Sequence, residues 1–279
     1  MEQINIKQGW RGFLSFSLVN AFGKTVVKDK RHLGPLIIQR PLYQEKDRPC
    51  VLIIHPPGGI AGGDQLELEI NFKARSKAMI STPSATKFYR SDNRLATQTQ
   101  TVNVAEGSEV EWLPQETLFF NQSRVSNQLK FMLEGPKAQL IAWDIVGLGR
   151  PAGGEGFELG VLTQFLELWI GSKLVFIDRL KLSQQTPLLK SSAGFANHHL
   201  FATALFYSDN AAAQKQLLEQ LQTIEWSSAV GVTKLENLVV LRVLASELED
   251  IKAVLFEAWV TARPLVMGLP VVKPRIWNT

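Results

Sequence analysis

Apolar and polar residues alternate most regularly where Leu66, Leu68, Ile70 and Phe72 interleave with Glu67, Glu69 and Asn71. That period of two predicts a strand with one buried and one wetted face. Phe13 to Asn20 alternates more weakly, and Thr97 to Val104 is rich in Thr and Val, residues suited to a pleated surface. Ser126 to Leu133, Gln139 to Val146 and Leu174 to Leu182 are further strand candidates, with Gly-Pro pairs at 34–35 and 135–136 marking turns. The last third changes period. Ala211 to Ile224 places Leu217, Leu218, Leu221 and Ile224 on one helix face. Ser246 to Ala262 does the same with Leu248, Ile251, Val254, Leu255 and Trp259. Ser246 and Glu249 fit a capping box, and Pro264 is expected to stop the second helix. Leu238 to Leu244 reads as a strand between the helices, whereas Asn197 to Tyr207 fits either element. The pattern predicts a mainly β protein with two α-helices in the C-terminal third. With no fixed-period repeat and no linker, residues 1–279 read as one unit.

Composition narrows the class. The 279 residues are 45% hydrophobic and 20% charged, enough to bury a sizeable core and unlike a disordered chain. The net charge is +4, but Lys and Arg are dispersed rather than gathered in a stripe, so no nucleic-acid partner is expected. A single cysteine, Cys50, allows neither an internal disulfide nor a thiolate zinc cluster, and fits a reducing cytoplasm. The start, Met1-Glu2-Gln3-Ile4-Asn5, lacks the basic and apolar regions of a signal peptide. No apolar run reaches the roughly 18 residues that span a bilayer, so no membrane association is expected.

Enzymatic motifs are weak. Gly23-Lys24-Thr25 matches the end of a P-loop, but Leu18 stands where the loop needs glycine, and a hairpin turn accounts for the segment. Gly147-Leu148-Gly149-Arg150-Pro151-Ala152 fits a loose dinucleotide fingerprint, yet Gly153, Gly154 and Gly156 disfavour the helix it should open. There is no G-x-S-x-G elbow and no H-E-x-x-H. His198 and His199 are adjacent, so their side chains diverge. A carboxylate-pair glycosidase remains open as an alternative, a β-helical carbohydrate-active enzyme, beside a dinucleotide-binding one.

Five segments stand out. Val51 to Ile54 runs into His55-Pro56-Pro57-Gly58-Gly59-Ile60-Ala61-Gly62-Gly63-Asp64, a loop stiffened by prolines and given close-approach freedom by glycines. It is followed by Thr86-Lys87-Phe88-Tyr89-Arg90-Ser91, by Leu113-Pro114-Gln115-Glu116, and by Trp143-Asp144 running on to Leu148-Gly149-Arg150-Pro151. The fifth is Pro274-Arg275-Ile276-Trp277. In this order and at these spacings they resemble the urease accessory protein D family (UreD, also called UreH), from about Gly12 to Trp277. One departure is Gly153-Gly154-Glu155, where many relatives carry Arg-Gly-Glu.

The resemblance implies a β-rich body wound like a β-helix, with two helices and no catalytic activity. It implies binding to accessory protein F, which recruits the nickel-carrying GTPase accessory protein G, and docking on the urease apoprotein. It also implies an internal polar passage for transient nickel(II), with no permanently bound cofactor or metal. Such a passage needs weak successive oxygen ligands, because a Cys or His cluster would retain the ion. Asp64, Asp144 and Asp178 have the right chemistry inside or beside apolar strands. By resemblance Thr86 joins them. His55, Gly58, Gly59, Gly62, Gly63, Lys87, Tyr89 and Arg90 are expected to shape the loop or meet a partner, with Lys87 ordering the loop or contacting a carboxylate.

Overall fold

The computed structural model describes residues 9–150 and 153–278. The opening residues Met1 to Asn5, and Pro151 and Ala152 at the end of the Gly147–Ala152 fingerprint, lie outside them. The first strands are β1 (Arg11–Ala21), β2 (Lys24–Leu33), β3 (Ile37–Ile38), β4 (Cys50–Ile54), β5 (Gln65–Phe72) and β6 (Lys77–Ser81). They are followed by β7 (Thr86–Phe88), β8 (Ala96–Val104), β9 (Glu109–Trp112), β10 (Thr117–Phe119), β11 (Arg124–Leu133) and β12 (Gln139–Leu148). Then come β13 (Val161–Ile170), β14 (Lys173–Leu182), β15 (Leu200–Tyr207), helix α1 (Ala211–Thr223), β16 (Ala229–Leu235), β17 (Leu238–Ala245) and helix α2 (Leu248–Met267).

Two sheets result. The seven-stranded sheet has the order β14-β13-β11-β8-β5-β1-β2. The ten-stranded sheet runs β16-β17-β15-β12-β9-β6-β4-β3, with β10 and β7 added beside β12. Leaving out the short β7 and β10, the strands from β4 to β13 pass back and forth between the two sheets, and from β6 onward each pairs in parallel with the one before it in its own sheet. Antiparallel strands complete both ends. The sheets are mixed and open, so the body is a pair of open sheets with helices, and no closed β-helical coil is assigned.

The mainly β expectation with two C-terminal helices therefore holds. Leu66, Leu68, Ile70 and Phe72 all turn inward from β5. The stretch left between helix and strand is β15, and Val161–Ile170, unread in the sequence, is β13. Gly23 sits in the β1–β2 hairpin, where Phe22 and Gly23 both take positive φ, 53° and 79°. This is the type I′ geometry that matches strand twist, and it disposes of the P-loop reading.

Apolar residues form two clusters. One fills the space between the inner faces of the sheets, with Leu14, Phe16, Ile70, Val110, Leu140 and Leu166 among its members. The other lies on the far face of the ten-stranded sheet, where Ile141, Trp143 and Ile145 meet Ile251, Leu255 and Trp259 of α2 and Leu217 and Leu221 of α1. Each such side chain, fully buried, stabilises by about 1.5–3 kcal/mol.

Two helix-end expectations fail. The N-cap of α2 is Glu247 without a side-chain cap, because Ser246 Oγ lies instead 3.3 Å from His198 Nδ1. Helix α2 also runs through Pro264 to Met267. Burial of Val266 and Met267 and the bonds of the neighbouring Arg263 outweigh the one backbone bond that proline forfeits. Gly268, at φ 66°, then closes the helix by donating its N–H to Pro264 O.

Candidate functional site

The period of β12 determines where its acid points. Leu140, Ala142, Val146 and Leu148 join the inter-sheet core, while Ile141, Trp143 and Ile145 face the helices. Asp144, in phase with the first set, therefore projects between the sheets. The same count sends Gln164 inward from β13, Thr203 from β15, and Gln98 and Gln100 from β8, each in phase with apolar core residues. From β14 Asp178 is in phase with Phe176 and Leu182. A polar seam thus runs through an otherwise apolar interface.

Cavities follow that seam. A narrow one of about 90 Å³ is lined by His55, Gly58, Gly59, Thr86, Lys87 and Asp144, and by Gln98 and Gln100. An open groove of about 540 Å³ is lined by Asp144, Gln164, Asp178, Thr203 and Arg242. Asp144 lines both. A third cavity of about 530 Å³, on the helix side beside Trp143 and Trp277, shares Pro83, Ser84, Ala85, Pro114 and Gln115 with the narrow one.

The carboxylate of Asp144 is surrounded by protein, and the surface it keeps opens on the cavities. Gln164 Nε2 donates to its Oδ2 in a short hydrogen bond. Burial pushes its pKa up to about 6; the Gln164 bond opposes that shift and the nearby charge of Asp178 adds to it. Asp178 accepts from Thr203 Oγ1 at 3.3 Å and from Arg242 Nη2 at 3.1 Å. Asp178 thus joins an ion pair that spans the two sheets, from β14 to β17, while still lining the groove.

The glycine-rich loop forms one wall. Ile60 bridges to Phe88, donating to Lys87 O at 2.7 Å and accepting from Tyr89 N at 2.9 Å. Tyr89 hydroxyl donates to Gly58 O at 3.2 Å, and its ring covers Gly59, where an added Cβ would lie 2.2 Å from Cε2. Only glycine admits that approach. Gly62 packs on Ser91 in the same way, and Gly63 takes a φ of 93°. Burial lowers the pKa of His55 while the charge of Asp64 works against it, so the imidazole leans toward its neutral form.

Asp64 stands apart from these cavities. Its two oxygens accept from Trp10 N and Ala61 N, both at 2.8 Å, which ties the loop to the start of β1. This is a loop-fastening role, a carboxylate accepting from backbone N–H groups. Lys87 lines the narrow cavity; of its two expected roles, the carboxylate contact is not formed among the described residues, while its backbone oxygen holds Ile60 of the loop. Tyr89 and Arg90 are exposed. The fingerprint Gly147 to Ala152 opens no helix in its described part. Gly149 turns at φ 77° and Arg150 bridges back to Glu155, which removes the dinucleotide reading.

Gln164, Thr203 and Arg242 were not legible as site residues. Their one signal is a polar residue interrupting an apolar alternation, as Gln164 does among Leu162, Leu166 and Leu168. Among the described residues no three His, Cys, Asp or Glu side chains gather into a metal cage. Burial and the charge of Glu111 push the Cys50 thiol up to about 11, so no thiolate ligand is at hand. What the arrangement offers a cation is a succession of isolated oxygens.

A family model described as "UreD urease accessory protein" matches residues 11–278. The chain is 38% identical over 284 residues to urease accessory protein UreD of Pseudomonas putida strain F1, covering 100% of this chain and 98% of that protein. It is 34% identical over 276 residues to the UreD of Alcanivorax borkumensis, covering 98% and 93%. It is 33% identical over 272 residues to UreD 2 of Brucella anthropi, covering 97% and 99%.

Proposed function

The chain belongs to the UreD family of urease accessory proteins, and from that premise we propose that it is a scaffold that guides nickel(II) into urease. As an accessory protein it is not itself a catalytic enzyme. In this reading it works in the cytoplasm, binding accessory protein F, through it the GTPase accessory protein G, and the urease apoprotein. No helix among the described residues is long and apolar enough to cross a membrane.

One observation carries the passage: Asp144, an acid held inside an apolar interface, lines both the narrow cavity and the open groove. An ion moving along the seam meets carboxylate, amide and hydroxyl oxygens in turn. These are ligands that nickel(II) accepts but that, taken singly, hold it more weakly than a Cys or His cluster would. A conduit must bind each ion strongly enough to admit it and weakly enough to let it go. Thr86 lies at the loop end of this path and Asp178 at the groove end, while Asp64 holds the loop in shape without facing the ion.

The test is Asp144→Ala in the full set of accessory proteins. The complex should still assemble in a pull-down, because the Asp144 side chain projects between the sheets. The nickel content of the urease produced should fall severalfold. Fully loaded urease from that variant would end the passage and leave only an adaptor role.

A further inference from the structure

The groove end of the seam carries one residue that a simple cation path would not want. We propose that Arg242 is a removable counter-ion on Asp178, which decides whether a divalent cation is held or released beside Asp144. The proposal rests on the passage reading above and adds its regulation.

Arg242 belongs to the site by register. On the ten-stranded sheet Asp144 lies opposite Thr203, and Thr203 lies opposite Arg242. Directly opposed residues in antiparallel strands are close neighbours. Asp178 reaches across from the other sheet and accepts from both Thr203 and Arg242 through the same oxygen, Oδ2. Asp178 is also near enough to act electrostatically on Asp144.

The two acids differ in their partners. Asp178 holds a guanidinium, whereas Asp144 has no cationic side chain within ion-pair distance among the described residues. Its neighbour Gln164, only 6% exposed, gives Nε2 to Asp144 and leaves its Oε1 buried without a hydrogen-bond partner. A buried amide oxygen without a donor is costly, and a cation beside Asp144 would satisfy it. Carboxylate, amide and hydroxyl oxygens are a donor set suited to a hard or borderline divalent ion.

Arg242 can leave at small cost. Its side chain is 57% exposed, and the guanidinium rests over the Phe176 ring at 5.8 Å, at the groove mouth. Ion pairs this exposed contribute little, so swinging outward unpacks no core. With the guanidinium seated, the two ionised carboxylates carry one net negative charge; with it withdrawn they carry two. An arriving divalent cation thus competes with Arg242 for Asp178, and the returning guanidinium helps to expel it. The site captures without trapping.

The experiment titrates nickel sulfate into the intact chain by calorimetry, comparing wild type, Arg242→Gln, Arg242→Lys, Asp178→Asn and Asp144→Asn, with melting curves confirming the fold. Arg242→Gln should bind nickel about three- to fivefold more tightly. Arg242→Lys should stay near wild type, and adding Asp178→Asn to Arg242→Gln should abolish the gain. In the full maturation system Arg242→Gln should slow urease loading through retention. If Arg242→Gln binds no more tightly while Asp144→Asn or Asp178→Asn weakens binding, the counter-ion role is overturned and the passage stands. If both acid variants leave nickel binding and urease loading unchanged, the passage itself is wrong and the counter-ion role goes with it.

Discussion

An acid placed in an apolar row is disfavoured in its charged form unless a partner or water meets it. Asp144 shows both sides of that rule, with one amide donor and a pKa pushed from 3.8 to about 6. The sign for stability follows. Between those two values the folded chain holds a proton that the unfolded chain has lost, so stability falls as pH rises through that window. Above it, the penalty is fully present. Asp144→Asn should therefore stabilise the protein by about 2–3 kcal/mol near neutral pH, and the gain should fade toward zero below about pH 4. Thermal melts across that range check it; a gain independent of pH would mean that the carboxyl is not raised. The same residue is thus a burden on the fold and an asset to a cation path, the usual mark of a functional position.

Elements are held to one another by charge as well as by apolar contact. Arg263 of α2 is fully buried, with Nε 3.0 Å from Glu111 Oε1 on β9 and Nη2 2.5 Å from Glu45 Oε2. Trp259 Nε1 donates to the same Glu111 oxygen at 2.7 Å, and Arg48 Nη1 lies 3.6 Å from the second Glu111 oxygen, Oε2. Arg263 also donates to Pro270 O, so the C-terminal tail is fastened at the same point. Removing one member of such a buried set strands the others. Glu111→Ala should cost about 3–5 kcal/mol, read from the midpoint and slope of urea denaturation. A loss under about 1 kcal/mol would show that Glu45 alone can balance Arg263. This network also explains why α2 continues past Pro264: Arg263 is fixed in the helix one residue earlier, and Val266 and Met267 are drawn into the core behind it.

At the scale of the molecule, the ten-stranded sheet is shared by both apolar clusters. Strand β12 gives Leu140 and Val146 to one and Ile141 and Ile145 to the other. Neither layer keeps its core if that sheet melts, so the chain is expected to unfold in one cooperative step. Trp112 reports on the inter-sheet core, and Trp143 and Trp259 on the helix side. Their fluorescence transitions, isolated by replacing the other tryptophans, should coincide with the loss of strand and helix signal in far-ultraviolet circular dichroism. Two separated transitions would show the layers to be independent units.

The alternation of Leu66 to Phe72 and the helical spacing of Leu248 to Trp259 determined the class of element wherever one face is buried, because burial imposes its period on the sequence directly. The five motif segments likewise identified the family and marked Asp144 and the glycine-rich loop. Tertiary structure alone decided which strands lie side by side. Strand β12 and the next strand, β13, go to different sheets, so Gln164 meets Asp144 across the inter-sheet space, whereas Thr203 comes beside it from β15, two strands beyond β13. Asp64 and Asp144 look alike as residues in a string. One is spent on two backbone N–H groups, of Ala61 in its own loop and of Trp10 ahead of β1, and the other faces the space between the sheets. Local spacing tells which face of β12 carries Asp144, but that a cavity lies on that face is a property of packing in three dimensions.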